Sequence, residues 1–467
     1  MPATTDLHYL EIYELVQLYR QRKVSPVEVV EQQLQRAKQL EGRLHSYARL
    51  TPETALRQAQ QAGQQLAGNG GSALLGIPLG YKDLLDTAGV VTAGGMPLHA
   101  QRVPATNATV VERLEQAGAV MLGKLQMTEG AFAIHHPDIP DPVNPWGDNH
   151  WTGASSSGNG VALAAGLCYG AVGSDSGGSI RFPCAANGLS GLKPTWGRVS
   201  RHGTIEMATS LDHIGPMARS VRDVMLLFAA MAGPDPLDVT SLPDAPPQLD
   251  TLSDSFAGLT VGIDEQWLNH HVDTEIQQSL QAVIQLIQAH GGKLKRFSIP
   301  DTYAVSSQWE AHCGVQTALA HSATYPAQAG HYGPALSRLI DGGHALSGTD
   351  YQKILLAARQ FTGAINHCFQ DFDLILAPVQ PYAAPTHEQL ANLAQDADAN
   401  RHLIQFTAPF NVSGHPSLSV PVGFTSGGLP LGGQFIAAKG NEAAAFQAGL
   451  ALQRLTDWHR QHPPAFA

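Results

Sequence analysis

With 467 residues, 43% of them hydrophobic and only 14% charged, the chain can build a large buried core and is neither disordered nor fibrous. A net charge of −11 makes it a poor autonomous binder of nucleic acid or of an anionic membrane surface. No stretch approaches the roughly 18 uninterrupted apolar residues of a membrane span. The start MPATTDLHYLEIYELV lacks the basic opening and apolar run of a signal peptide. Cys168, Cys184, Cys313 and Cys368 are scattered, with no CxxC pair, as expected of reduced thiols in a cytoplasmic protein without a zinc or redox motif.

Residues 6 to 67 read as helical, with Leu7, Leu10, Ile12, Leu15, Val16 and Leu18 near helical spacing. Ser25-Pro26 opens a second helix with Val29, Val30 and Leu34 on one side, and Thr51-Pro52 opens a third. After the turn 68–71 the texture changes to Gly, Ala and Ser with short apolar runs, up to about 235. There Val110 to Gly118 predicts a helix, Ala119 to Leu122 a buried strand and Val161 to Leu167 a helix of small residues. Pro234 to Leu252 is a proline-rich connection. LTVGID and LKRFSI predict strands flanking a helix over 274–290, residues 300–370 are mainly helical, and DLILA at 373–377 is a buried strand. SLSVPVGF and LGGQFIA, parted by Gly427-Gly428, read as a hairpin before a last helix at about 441–457. Strands alternating with helices indicate an α/β sheet covered on both faces. The expected division is an N-terminal helical segment (1–70), a central core (71–235), and a remainder (236–467) that shares its domain and carries a helical insert near 300–370.

The stretch GSDSGGSIRFP at 173–183 poses the chemical question, because any of its serines could be a nucleophile. Asp175-Ser176-Gly177-Gly178 spells the loop around the nucleophile of trypsin-like proteases. That fold is all-β and places histidine and aspartate ahead of the serine. Here the upstream residues carry helical periodicity, and the one Ala-His-Cys triplet lies downstream at 311–313. The alternative makes Ser179 the nucleophile, with the glycine pair positioning the backbone ahead of it. His135-His136 looks like a metal pair, but adjacent histidines on a helix or strand point apart, so no metal is expected. With no Walker or dinucleotide fingerprint, no cofactor is expected either.

Other motifs bear on the choice: GIPLGYKDLLDTAG at 76–89, DPVNPW at 141–146, GASSSGNG at 153–160, GLKPTWGRVS at 191–200, LDHIGPMARSVRD at 211–223, SGHPSLSVPVGF at 413–424 and DWHRQHPP at 457–464. In this order and near this spacing, they resemble the amidase signature family of serine hydrolases over most of the chain. The resemblance implies a large twisted mixed β-sheet with helices on both faces. It implies a triad of Lys82, Ser155 and Ser179, with the Ala154-Ser155 bond cis. It also implies an oxyanion hole from the N–H groups of Ser176, Gly177, Gly178 and Ser179, a brace from Asp175 and Arg181, and support of Lys82 by Ser156. Such chemistry needs a neutral lysine, which burial can provide by disfavouring the ammonium form.

Position in the chain assigns Met127, Trp146, Trp151 and helical residues between about 305 and 335 to the substrate pocket. The implied substrate is a small amide, ester or carbamate (a urethane among them), handled by a monomer or homodimer. The alternative is the catalytic subunit of a glutamine-dependent amidotransferase. The chain departs from the family's usual GGSSGGSA at Ala154, Ser157, Asn159 and Gly160, and at Gly433, where a bulkier residue is common. After Lys124 it reads LQMTEGAFAIHH, not the DEFA-like stretch of the amidotransferase component that amidates charged tRNA. That weighs against the alternative.

Overall fold

A computed structural model describes residues 7–67, 71–393 and 395–466. Most of the turn at 68–71 and the first residue of the helical reading from 6 lie outside the described residues. The strands are β1 (Tyr47–Leu50), β2 (Pro78–Lys82), β3 (Val120–Leu125), β4 (Gly170–Asp175), β5 (Ser190–Lys193), β6 (His213–Ala218), β7 (Thr260–Ile263), β8 (Lys293–Arg296), β9 (Leu374–Pro378), β10 (Ser417–Phe424) and β11 (Pro430–Ala437). They form one mixed sheet in the order β1-β3-β2-β4-β6-β5-β10-β11-β9-β7-β8. β2 runs parallel to both β3 and β4, and β7 runs parallel to β8 and β9. The remaining pairings are antiparallel. Strands buried on both faces read as unbroken runs of apolar and small residues, as β4 (GAVGSD) does.

Helices cover both faces. On β11, a Cβ at Gly432 would strike Ala185 of the helix Arg181–Asn187, whereas one at Gly433 would meet Val422 at 2.6 Å and Leu280 of the helix Thr274–Ala289 at 3.4 Å. Successive strand residues point to opposite faces, so the two helices lie on opposite sides. The same contact explains why glycine stands at 433: Val422, on the neighbouring β10, already fills the space.

Three details differ from the sequence reading. The N-terminal helical segment is interrupted by β1, which pairs with β3 and is too short, at four residues, to show a period of its own. The helix expected at 161–167 spans Ser157–Ala164 and so begins inside the serine tract. Its first turn holds Gly158, Asn159 and Gly160, which are poor helix formers but fit here: Asn159 Nδ2 donates to the Val172 carbonyl at 2.9 Å. A Cβ at Gly160 would lie 2.5 Å from Asn187 Nδ2. The strand expected at 294–299 stops at Arg296, because its one partner, β7, ends at Ile263 opposite it.

Candidate active site

Lys82 is the last residue of β2, and Ser174 and Asp175 end its parallel neighbour β4. Carboxyl ends of parallel strands are where α/β sheets gather their chemistry. The Lys82 side chain is wholly buried. Its Nζ donates to Ser155 Oγ at 2.6 Å and to Ser174 Oγ at 2.8 Å. Burial lowers its pKa to about 7, against the opposing pull of the Asp175 and Asp212 charges. The neighbouring Asp83 does not neutralise it: Asp83 lies 4.0 Å from Lys124 and accepts from the Ala93 N–H at 3.1 Å. Lys124 in turn donates to the Leu85 carbonyl and, at 2.8 Å, to Thr92 Oγ1. Of two adjacent buried lysine-bearing strands, only β2 aims its amine at serines.

Ser155 follows a cis Ala154-Ser155 peptide. Its carbonyl accepts from Thr128 N–H at 3.2 Å, and the next N–H, of Ser156, donates to the Ser179 carbonyl at 3.3 Å. The serine tract is thereby tied to the loop carrying Ser179. The family resemblance puts Ser156 beside Lys82, but its hydroxyl donates instead to the Ser174 carbonyl at 3.3 Å. The second hydroxyl on the amine is that of Ser174. Ser156 begins a helix and faces the backbone of β4, whereas Ser174 stands on the strand next to β2. In the sequence, Ser174 is hidden as one of several serines in GSDSGGS.

The loop after β4 is held from within. Asp175 Oδ1 accepts from the Gly178 N–H at 2.8 Å, and its Oδ2 from the Ile180 N–H at 3.1 Å. The buried Arg181 grips the same carboxylate, Nη2 on Oδ1 at 2.9 Å and Nε on Oδ2 at 3.0 Å. Asn411 Nδ2 adds a bond at 2.8 Å. Burial pushes the Asp175 carboxyl up, but the Arg181 charge and these hydrogen bonds outweigh it and hold the group well below the usual carboxylate range. Gly178 has φ of 141°, and a Cβ there would enter the Phe182 ring, so the loop demands glycine. The Ser176 hydroxyl donates directly to Asp212 Oδ1 at 2.6 Å, a carboxylate rather than the histidine that the trypsin-like reading needs. Ser179 is the most exposed residue of 173–183.

Ser179 opens into a cavity of about 340 Å³ whose walls are chiefly apolar, among them Trp151, Phe182, Trp309 and Leu403. Ser176, Gly177 and Ala154 also reach it. Of the three residues assigned to this cavity by position, Trp151 lines it, and Met127 and Trp146 do not. Trp146 is turned away, its Nε1 donating to the Asn187 carbonyl at 3.0 Å and its ring 5.2 Å from Phe424. Met127 is buried in the main core. Trp309, inside the helical stretch expected to contribute, donates from Nε1 to the Ser176 carbonyl at 2.9 Å and packs over Gly177. Phe182 and Leu403 escape a sequence reading, because nothing in their local pattern distinguishes a cavity wall from a core. His135 and His136 have separate partners, Ser157 Oγ at 3.0 Å and Asp138 at 3.8 Å.

The family model described as Amidase matches residues 28–446. A putative amidase, AmiD, of Mycobacterium tuberculosis is 43% identical over 457 residues, covering 97% of this chain and 96% of that protein. A component of the glutamyl-tRNA(Gln) amidotransferase of Chloroflexus aggregans is 35% identical, covering 98% of this chain and 99% of that one. A solved amidase structure superposes with a TM-score of 0.80 at 26% identity, covering 96% of this chain and all of that one.

Proposed function

The chain belongs to the amidase family and is a carbon–nitrogen hydrolase of that class, and from this premise we propose that it cleaves small apolar amides, with aryl amides, esters and carbamates as further substrates, through a seryl acyl-enzyme. Ser179 is the nucleophile. Its proton passes to Ser155 Oγ as the proton of Ser155 passes to Lys82 Nζ, and Ser179 Oγ bonds to the carbonyl carbon. The N–H groups of Ser176, Gly177 and Ser179 receive the oxyanion, each such donor being worth about 2.7–4 kcal/mol in comparable sites; that of Gly178, which the resemblance adds to them, is already bonded to Asp175 Oδ1. Collapse breaks the C–N bond, and the amine leaves with the proton that Lys82 returns through Ser155. Water then attacks the ester by the same relay, releasing the acid and free Ser179.

The observation that carries this reading is the fully buried Lys82 amine, bonded to Ser155 and held to a pKa of about 7. The apolar cavity supports the choice of substrate: among the described residues that line it, Glu310 is the one carboxylate, and there is neither Lys nor Arg. The charged α-groups of glutamine would find little there to pair with. The likeness to an amidotransferase component keeps the second reading in play. It is separated by assaying the isolated chain for glutaminase activity with and without partner proteins.

The decisive test pairs a fluorophosphonate probe with a screen of anilides, esters and carbamates. Ser179→Ala is expected to lose both labelling and turnover while remaining folded. Ser176→Ala, which removes a hydroxyl that donates to Asp212 Oδ1, is expected to keep labelling. The reverse pattern would return the nucleophile to Ser176.

A further inference from the structure

Away from the serine cavity, three histidines converge. His270 and His271 follow the short helix Glu265–Asn269, and His402 sits on the helix Ala397–Ile404. One ring nitrogen from each lies within 4.8 Å of those of the other two. The rings of His271 and His402 stack with centroids 3.8 Å apart, and His270 stands edge-on to them at 4.2 and 5.9 Å. Adjacent histidines normally diverge, but His271 has φ of 56°, in the left-handed region that residues other than glycine seldom adopt. That turn lets both neighbours meet His402.

A tetrahedral Zn²⁺ with Zn–N bonds of about 2.0–2.1 Å needs its nitrogens about 3.4 Å apart, so the stacked rings of His271 and His402 must turn out of their stack for their lone pairs to converge on one ion. Asp396 favours a cation near His402 and Arg401 opposes one.

We propose that His270, His271 and His402 form a binding site for one divalent transition cation, of which Zn²⁺ is the reference case, with water completing the coordination. The site is distinct from the proposed chemistry, since none of the three lines the cavity. It is nevertheless mechanically joined to it. Ala399, Asn400, Leu403 and Ile404 of the same helix form part of the cavity wall. Gln405 Nε2 already donates to the His270 carbonyl at 3.3 Å. A bound cation ties this wall to the turn at 270–271.

The test uses the untagged full chain, stripped of metal and titrated with Zn²⁺ against a chromophoric chelator at about pH 7.5, where imidazoles are unprotonated. His402→Gln and the double variant His270→Gln/His271→Gln serve as controls. All three positions are at least partly exposed, so the variants are expected to fold. The parent is expected to bind about one equivalent that both variants bind at least tenfold more weakly. Absence of binding, or equal affinity in parent and variants, overturns the site. Hydrogen exchange of amides 398–404 is expected to slow on adding Zn²⁺ to the parent only. Zinc bound without such slowing overturns the tie between wall and turn.

Discussion

Lys82 has two hydroxyl partners and, among the described residues, no counterion in contact, and that combination sets its chemistry. A lysine whose pKa is lowered to about 7 by burial becomes an acceptor as pH rises. The expected profile of kcat/KM is therefore a rising limb centred near pH 7, with the rate lost on the acid side, where Lys82 is protonated. Lys82→Arg keeps a positive charge that does not titrate and is expected to be about as inactive as Lys82→Ala. Near-normal turnover of the arginine variant on one anilide substrate refutes the proton-accepting role. Ser174 offers a subtler test. Ser174→Ala removes one of the two hydroxyls on the amine, a hydrogen bond worth about 0.5–1.5 kcal/mol. It is expected to lower kcat up to about tenfold with little change in KM and to move the rising limb. An unchanged pH profile would show that Ser174 only fills space.

Between β4 and the helix Arg181–Asn187, five residues make a turn whose backbone N–H groups point inward at Asp175 or stand beside the cavity. The turn is kept open by a buried ion pair with ligands from three parts of the chain: Asp175, Arg181 and Asn411. Removing one member of such a pair leaves an uncompensated charge and costs about 3–5 kcal/mol. Arg181→Met is therefore expected to lower the urea midpoint sharply and to abolish turnover. Because Asp175 titrates below its unfolded value, its contribution to stability is full above roughly pH 3.9 and is lost as the pH falls towards the folded value. The parent is expected to lose stability on acidification in that range more steeply than Arg181→Met. Equal acid sensitivity of the two proteins counts against the pair as the stabilising element.

At the scale of the whole molecule, one sheet of eleven strands brings together groups far apart in sequence. Lys82 and Ser174 meet because β2 and β4 are neighbours, although β3 comes between them in the chain. Phe182, Trp309 and Leu403 reach one cavity from helices that are widely separated in sequence. The proposed serine mechanism uses no metal, so overnight dialysis against EDTA is expected to leave most of the hydrolytic rate intact. Loss of activity that zinc restores even in His402→Gln, where the proposed cation site is removed, contradicts the serine mechanism.

Local pattern determined the elements that are long or sharply bounded: the N-terminal helices, the hairpin of β10 and β11, and the helix Glu442–Leu455. The motifs around Lys82, Ser155 and Ser179 pointed to the chemistry through their resemblance, in order and spacing, to those of the amidase signature family. The burial of Lys82, the choice of Ser174 over Ser156 as its second partner, and the exclusion of Trp146 and Met127 from the cavity were decided only by tertiary structure. The reason is physical: burial, and which hydroxyl lies close enough to an amine to bond it, depend on strand order and register, and strand neighbours such as β2 and β4 are held together by pairings between residues far apart in the chain.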